Sequence, residues 1–226
     1  MKTVHKRILS TCGLIAPFIF IGTAVIGGAL RPGYSHLTDT VSELFSPGSP
    51  NKPLLDSLYL VFAFLLIGFG VSILVTVGES ASPNKAGKIG AYLYITVGIL
   101  HVFSAVLFPQ DPWGSTLTFP GMMHFNIHGI ITIFSLFSMI SLGFWFKKTG
   151  IFPEFGFYTA ITIILAVIAS VFFMVNLGTQ IMGLAERIAA LIGFQWIFVL
   201  SLWMFKLSYK HVENPGRSNQ QQSNTY

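Results

Sequence analysis

His124-Phe-Asn-Ile-His128 sets two imidazoles four residues apart, a spacing that places them on one face of a helix about one turn from each other. Such a pair can offer two nitrogens to a metal ion, and zinc takes three or four protein ligands. His101, eight residues before Pro109, lies roughly 12 Å down its own helix by helical rise and within reach of His128. Thr132, Ser135 and Ser138 continue the polar face of His128, and Asn126 points the opposite way. Tyr94, His101 and Ser104 share a face of the preceding helix, with Val97 and Gly98 filling the turn between. A carboxylate from Asp39, Glu43, Asp111 or Glu186 would complete a ligand set or deprotonate a bound water. Zinc held by His101, His124 and His128 is therefore one chemistry this pattern allows. The same histidines and hydroxyls can also hydrogen-bond across helices without any ligand.

A second concentration of polar residues runs from Arg31 to Leu44, where an otherwise oily chain places Arg31, Tyr34, His36, Asp39, Ser42 and Glu43 together. It reads as the lip of a polar site. Asp111, Glu186 and Arg187 are the candidates to join it from distant segments. Arg187 is expected to find an anion, with a structural ion pair to Asp111 or Glu43 ahead of a lipid phosphate or a substrate. Arg31 either does the same or snorkels toward headgroups. Ser42 or Asp39 is expected to cap a helix, and Glu186 suits a helix's first turn. There is no G-x-S-x-G elbow beside Ser42, no phosphate-cradling or dinucleotide fingerprint, and with Cys12 alone no paired-cysteine metal motif or intrachain disulfide.

The elements that must hold these groups are greasy. Of 226 residues 53% are hydrophobic, 15% aromatic and only 9% charged, and the mean hydropathy is +0.70, far oilier than a soluble domain. Six apolar runs are long enough to cross a hydrocarbon core of about 30 Å. They reach Leu30 from the basic N-terminus, with Pro17 inside, and then span about Leu54–Val77, Lys88–Phe108, Met123–Phe146, Phe155–Val175 and Ala185–Leu207. The first run is about twice too long for a signal peptide. The expected fold is all-α, a bundle of six transmembrane helices over residues 1–210, with a disordered polar tail over 211–226.

The formal charge of +5 comes from residues scattered at helix ends rather than from a patch, so no nucleic-acid partner is expected and the lipid bilayer is the partner that composition implies. Ten of the thirteen Lys and Arg fall on the N-terminus, second loop, fourth loop and C-terminus, which predicts a multi-pass protein of the cell membrane with both termini cytoplasmic. Most carboxylates and histidines then gather near the opposite, outer side.

Arg31-Pro32-Gly33-Tyr34, Asp39-Thr40-Val41-Ser42-Glu43-Leu44, Phe108-Pro109 with Asp111, His124 and His128 opening a helix, and Gly183-Leu184-Ala185-Glu186-Arg187 with Trp196 together resemble the bacterial membrane proteins grouped as domain of unknown function 998. The resemblance covers the chain to about Leu207 and implies a six-helix bacterial membrane protein, with no activity attached. The linker from Phe45 to Lys52 is proline-rich and longer than that family's pattern. A more distant likeness, to zinc-dependent intramembrane hydrolases of lipid amides, rests on several histidines, a serine and an aspartate near one leaflet, without their full ligand pattern. Three functions follow: a binding or accessory membrane protein, a metal-dependent hydrolase of lipid or peptide bonds, and a small transporter.

Overall fold

The computed structural model describes residues 3–80, 84–150 and 153–213. It contains α1 (Thr3–Leu30), α2 (Lys52–Glu79), α3 (Lys85–Leu107), α4 (Phe119–Thr149), α5 (Pro153–Val175) and α6 (Met182–Glu213), with one 3-10 turn at Ser42–Phe45. Each helix is long and apolar enough to cross a membrane and is apolar around most of its girth, as expected of rods whose outer face meets lipid. The fold is an all-α bundle of six membrane-spanning helices.

Local chemistry sets the ends. Asn84 caps α3 by accepting from Gly87 N at 2.8 Å, and Thr118 caps α4 by accepting from Gly121 N at 3.3 Å. Lys147 and Lys148 close α4 before Gly150, whose φ of 64° takes the chain out of the helix. Most helices start a few residues before the hydrophobic runs, because caps and N-terminal prolines extend them beyond the apolar pattern. α4 begins at Phe119 and α6 at Met182; α6 also continues to Glu213. From residue 214 on, the expected tail lies outside the described residues.

The helices form a ring in chain order, each packed on its neighbours, and α6 returns to α1. Close approach depends on small residues: a Cβ on Gly98 of α3 would stand 2.9 Å from Ile67 N of α2. Toward the end that holds the termini, the ring is filled by Phe69, Tyr94, Leu142, Trp145, Trp196 and Leu200. Lys6 and Glu79 pair there, and Ser201 donates to the Ser10 carbonyl, tying α6 to α1. The opposite end, closed by residues 31–51, 108–118 and 176–181, carries the polar lip. The filled half holds the frame, and the lip half holds a cavity.

Candidate functional site

The lip is fastened by the start of α6. Arg187 Nη1 donates to the carbonyls of His36 (2.8 Å), Asp39 (2.9 Å) and Gly183 (2.8 Å), while Nη2 donates to Tyr34 Oη (2.6 Å) and meets His36 Nδ1 (3.1 Å). The expected carboxylate partner is replaced by carbonyls, because a planar fork of donors matches a folded-back loop as well as it matches a carboxylate. Burial pushes the Tyr34 phenol up to about 12, so it stays protonated, accepting from Arg187 and donating to Thr40 O at 2.8 Å. Glu186 accepts from Val41 N and from Ser42 Oγ (3.1 Å). It lies past the first turn of α6, so its role is to grip the lip rather than to start the helix. Leu184 N donates to Leu37 O at 3.0 Å.

The other lip residues organise the loop itself. Asp39 accepts from Ser35 N and Thr38 Oγ1, each at 2.9 Å. Glu43 accepts from Thr40 N (2.9 Å) and reaches across to Trp113 N (3.2 Å). Arg31 donates to Glu43 O at 2.7 Å. Neither Ser42 nor Asp39 caps a helix; the residue before the 3-10 turn is Val41, without a side-chain cap. Asp111 folds onto the start of α4, accepting from Thr118 N (2.6 Å) and Thr118 Oγ1 (2.9 Å). Gly121 is required there, since a Cβ would come within 2.0 Å of Asp111 Oδ2.

Beneath this loop lies a cavity of about 300 Å³. Its upper wall comes from Thr40, Val41 and Ser42 of the lip, from Gln110 and Trp113, and from Glu186. Trp113 packs on the α5–α6 turn, where a Cβ on Gly178 would stand 3.1 Å from its ring, and Gln110 donates to Thr40 Oγ1 at 3.4 Å. His101, Ser104, His124 and His128 line the α3–α4 side. Ala189, Ala190 and Gly193 line the α6 side, and Phe20, Phe62, Leu66 and Ile197 the apolar depth. Among the described residues no lysine or arginine lines it.

The histidines form one network. His124 and His128 stack with ring centroids 4.3 Å apart, and His101 meets His128 edge-on at 5.7 Å. His124 Nδ1 lies 2.9 Å from Phe108 O, which only accepts, so Nδ1 carries the hydrogen. Ser104 Oγ sits 3.0 Å from His128 Nε2 and 3.3 Å from His124 Nδ1. As His124 Nδ1 is already a donor, the serine hydrogen goes to His128 Nε2. Tyr59 Oη lies 2.7 Å from His101 Nδ1 and donates to it. For neutral imidazoles, no carboxylate being paired to these rings among the described residues, these partners fix the tautomers. With Tyr59 and Ser104 as the donors, His101 Nε2 and His128 Nδ1 carry the ring hydrogens and His124 Nε2 is an acceptor, on three residues that all line the cavity.

The sequence-derived candidates thus separate into two groups. Arg31, Tyr34, Asp39, Glu43, Asp111 and Arg187 sit in or beside the lip with backbone partners, outside the cavity wall, whereas Ser42, Glu186 and the three histidines reach it. Among the described residues no group of three or more His, Cys, Asp or Glu side chains is arranged to hold a metal ion. Sequence reasoning did not single out Tyr59, Gln110 or Trp113 as part of a site. A signal for Tyr59 existed, because a tyrosine in the middle of an apolar helix must find a partner for its hydroxyl.

A family model described as "Protein of unknown function (DUF998)" matches residues 14–203. No curated protein and no solved structure matches the chain.

Proposed function

The chain belongs to the DUF998 family, whose function is unknown, and we propose from its geometry that it is a membrane-embedded binding protein for an amphipathic ligand with an uncharged, hydroxyl-bearing head. The observation that carries this reading is the cavity's chemistry: three imidazoles, two of them hydrogen-bonded to hydroxyls, converge on a space with no cationic side chain among its described lining residues. A phosphate or carboxylate head would need Arg or Lys to offset its desolvation inside a bilayer. A hydroxyl offers one donor and accepting lone pairs, which matches what the rings leave open. The apolar depth suits a hydrocarbon portion.

The distribution of Lys and Arg supports an orientation with both termini cytoplasmic and this cavity toward the outer leaflet of the cell membrane. Transport is less well supported, because Tyr94, Trp145 and Trp196 fill the ring below the cavity; the second hollow, between α4 and α5 from Met139 to Lys147 and Gly156, is lined mostly by apolar side chains. A second reading, hydrolysis of an ester or amide in the ligand, is favoured by one contact: Ser104 Oγ lies 3.0 Å from His128 Nε2, the hydrogen-bonding distance a serine nucleophile needs from its base. A metal-dependent version would use His101, His124 and His128, and no geometric observation favours it.

The test is thermal unfolding of purified protein in detergent with added dioleoylglycerol or dioleoylphosphatidylglycerol. Dioleoylglycerol is expected to raise the midpoint by an amount that grows with the logarithm of its concentration above Kd, and His128→Leu to abolish the rise. Stabilisation by the phosphate-bearing lipid alone, or a rise unchanged by His128→Leu, overturns the reading. Product release that stops in Ser104→Ala while stabilisation persists would establish the hydrolytic version.

A further inference from the structure

The cavity is closed above and below, and its loose side faces lipid. Above, the lip, Gln110 and Trp113 form a continuous cover held by Arg187 and Glu43. Below, the aromatic core fills the ring. The side formed by α4 and α5 differs from the others. Near the termini the two backbones approach at one point, where a Cβ on Gly156 would stand 3.6 Å from Gly143 O and 3.9 Å from Lys147 Cβ, and the hollow beside that contact is walled by Ile140, Phe144 and Phe157. The large α5 side chains packed into the main core cluster, Phe155, Tyr158 and Ile163, come from that half, and in the other half the buried apolar residue is the small Ala169.

Toward the lip, residues of both helices line the cavity instead of each other. Phe125, Thr132 and Ser135 do so from α4, and Ala166, Ser170 and Phe173 from α5. Thr132 is solvent-accessible although it lines the cavity, and Phe125 is 40% exposed. The surface flanking this seam, at Ile133, Phe137, Val167 and Val171, is exposed and apolar, the kind that faces hydrocarbon. Only 17% of the apolar stretch of α5 is buried in the bundle, against 44% for α2. Finally, about 300 Å³ is at the small end of ligand sites. It holds a head and the first methylenes of a lipid but not its chains, which must remain outside.

We propose that the cavity is loaded sideways from the leaflet next to the lip, between the lip-proximal halves of α4 and α5, by a lipid whose head enters while its chains stay in the bilayer. This rests on the binding reading above and adds its route and the class of ligand: a membrane lipid rather than a solute from the aqueous side.

The experiment uses the full chain carrying Cys12→Ser, in phosphatidylcholine nanodiscs containing dioleoylglycerol with a diazirine near the carboxyl end of one chain. Two bridged variants are compared. Thr132→Cys with Ser170→Cys, joined by a reductant-cleavable bis-maleimide, closes the seam. Lys147→Cys with Gly156→Cys, oxidised to a disulfide at a Cβ separation already within the normal range, pins the helices where they touch. Photolabelling of cavity-facing residues is expected to fall at least tenfold in the first variant, to recover on reduction, and to stay unchanged in the second.

Cavity labelling that persists undiminished with the seam bridged sinks the sideways route and leaves the binding reading standing. Labelling confined to the lipid-facing surface in the unbridged protein sinks both. Equal loss in both bridged variants shows that restraint of α5 in general, not closure of the seam, is responsible, and also overturns the route.

Discussion

The start of α6 and the start of α4 present the same kinds of side chain at the same level of the bundle and use them in opposite ways. At α6, each Arg187 nitrogen named above meets a partner, and both Glu186 oxygens accept from the lip. At α4, His124 and His128 are each held by one nitrogen and leave the other to a cavity. A polar group in a membrane protein has to be accounted for one way or the other. Saturation by backbone carbonyls marks a fastening, and half-satisfaction beside an empty volume marks a site.

That contrast breaks first at Arg187. Arg187→Met removes the side-chain donor shared by the His36, Asp39 and Gly183 carbonyls and the one that Tyr34 Oη accepts from, so unfolding in detergent should show a loss on the order of 3 kcal/mol, with ligand binding falling along with stability. A protein that keeps its stability would mean that the lip is not held by α6. Gly183→Ala tests the same fastening from the backbone side: its Cβ would come within 2.3 Å of Asp39 O, and overpacking of that sort costs about 1 to 3 kcal/mol. Glu186→Gln turns one acceptor into a donor facing Val41 N or Ser42 Oγ, for a loss of about 1 to 2 kcal/mol by the same measurement.

The other half of the comparison predicts separation of stability from binding. His128→Leu should shift stability by less than about 1 kcal/mol, the hydroxyl of Ser104 being able to turn elsewhere, while abolishing stabilisation by dioleoylglycerol. A large loss of stability would move His128 into the fastening class. The smallest effect belongs to Gly193, ten residues along the same helix from Gly183, where a Cβ meets no atom within 4 Å. Gly193→Ala should stabilise the protein by roughly 0.5 to 1 kcal/mol, the ordinary gain of replacing a helical glycine. Two glycine-to-alanine changes on one helix, with opposite signs, would draw the line between fastening and cavity.

Most of the frame was legible in the sequence because hydrophobic length and the placement of Pro, Gly and Lys report on local structure. Six spans, the polar lip, the paired histidines and the Ser104 face follow from spacing alone. The division of labour among the polar residues was not legible. Arg187 reads as a charge seeking a charge, and only the folded-back lip supplies carbonyls in its place. Asp39 reads as a helix cap and Glu43 and Asp111 as partners for Arg187, whereas the amides they accept from, Ser35 N, Thr40 N and Thr118 N, become their neighbours only once the turns are formed. Tyr59 sat on a helix that looks uniformly oily, so its contact with His101 depended on how α2 and α3 rotate against each other, which periodicity does not specify.

The distance along the chain between the lip and its anchor has a consequence for biogenesis. Asp39 leaves the ribosome 148 residues ahead of the arginine that fixes it, an interval of roughly 7 to 30 s at ordinary rates of synthesis. During that time four further helices are inserted with the loop unanchored. The pocket can therefore acquire its final shape only when the last helix arrives, which spares the half-built chain from capturing lipid before the ring is closed.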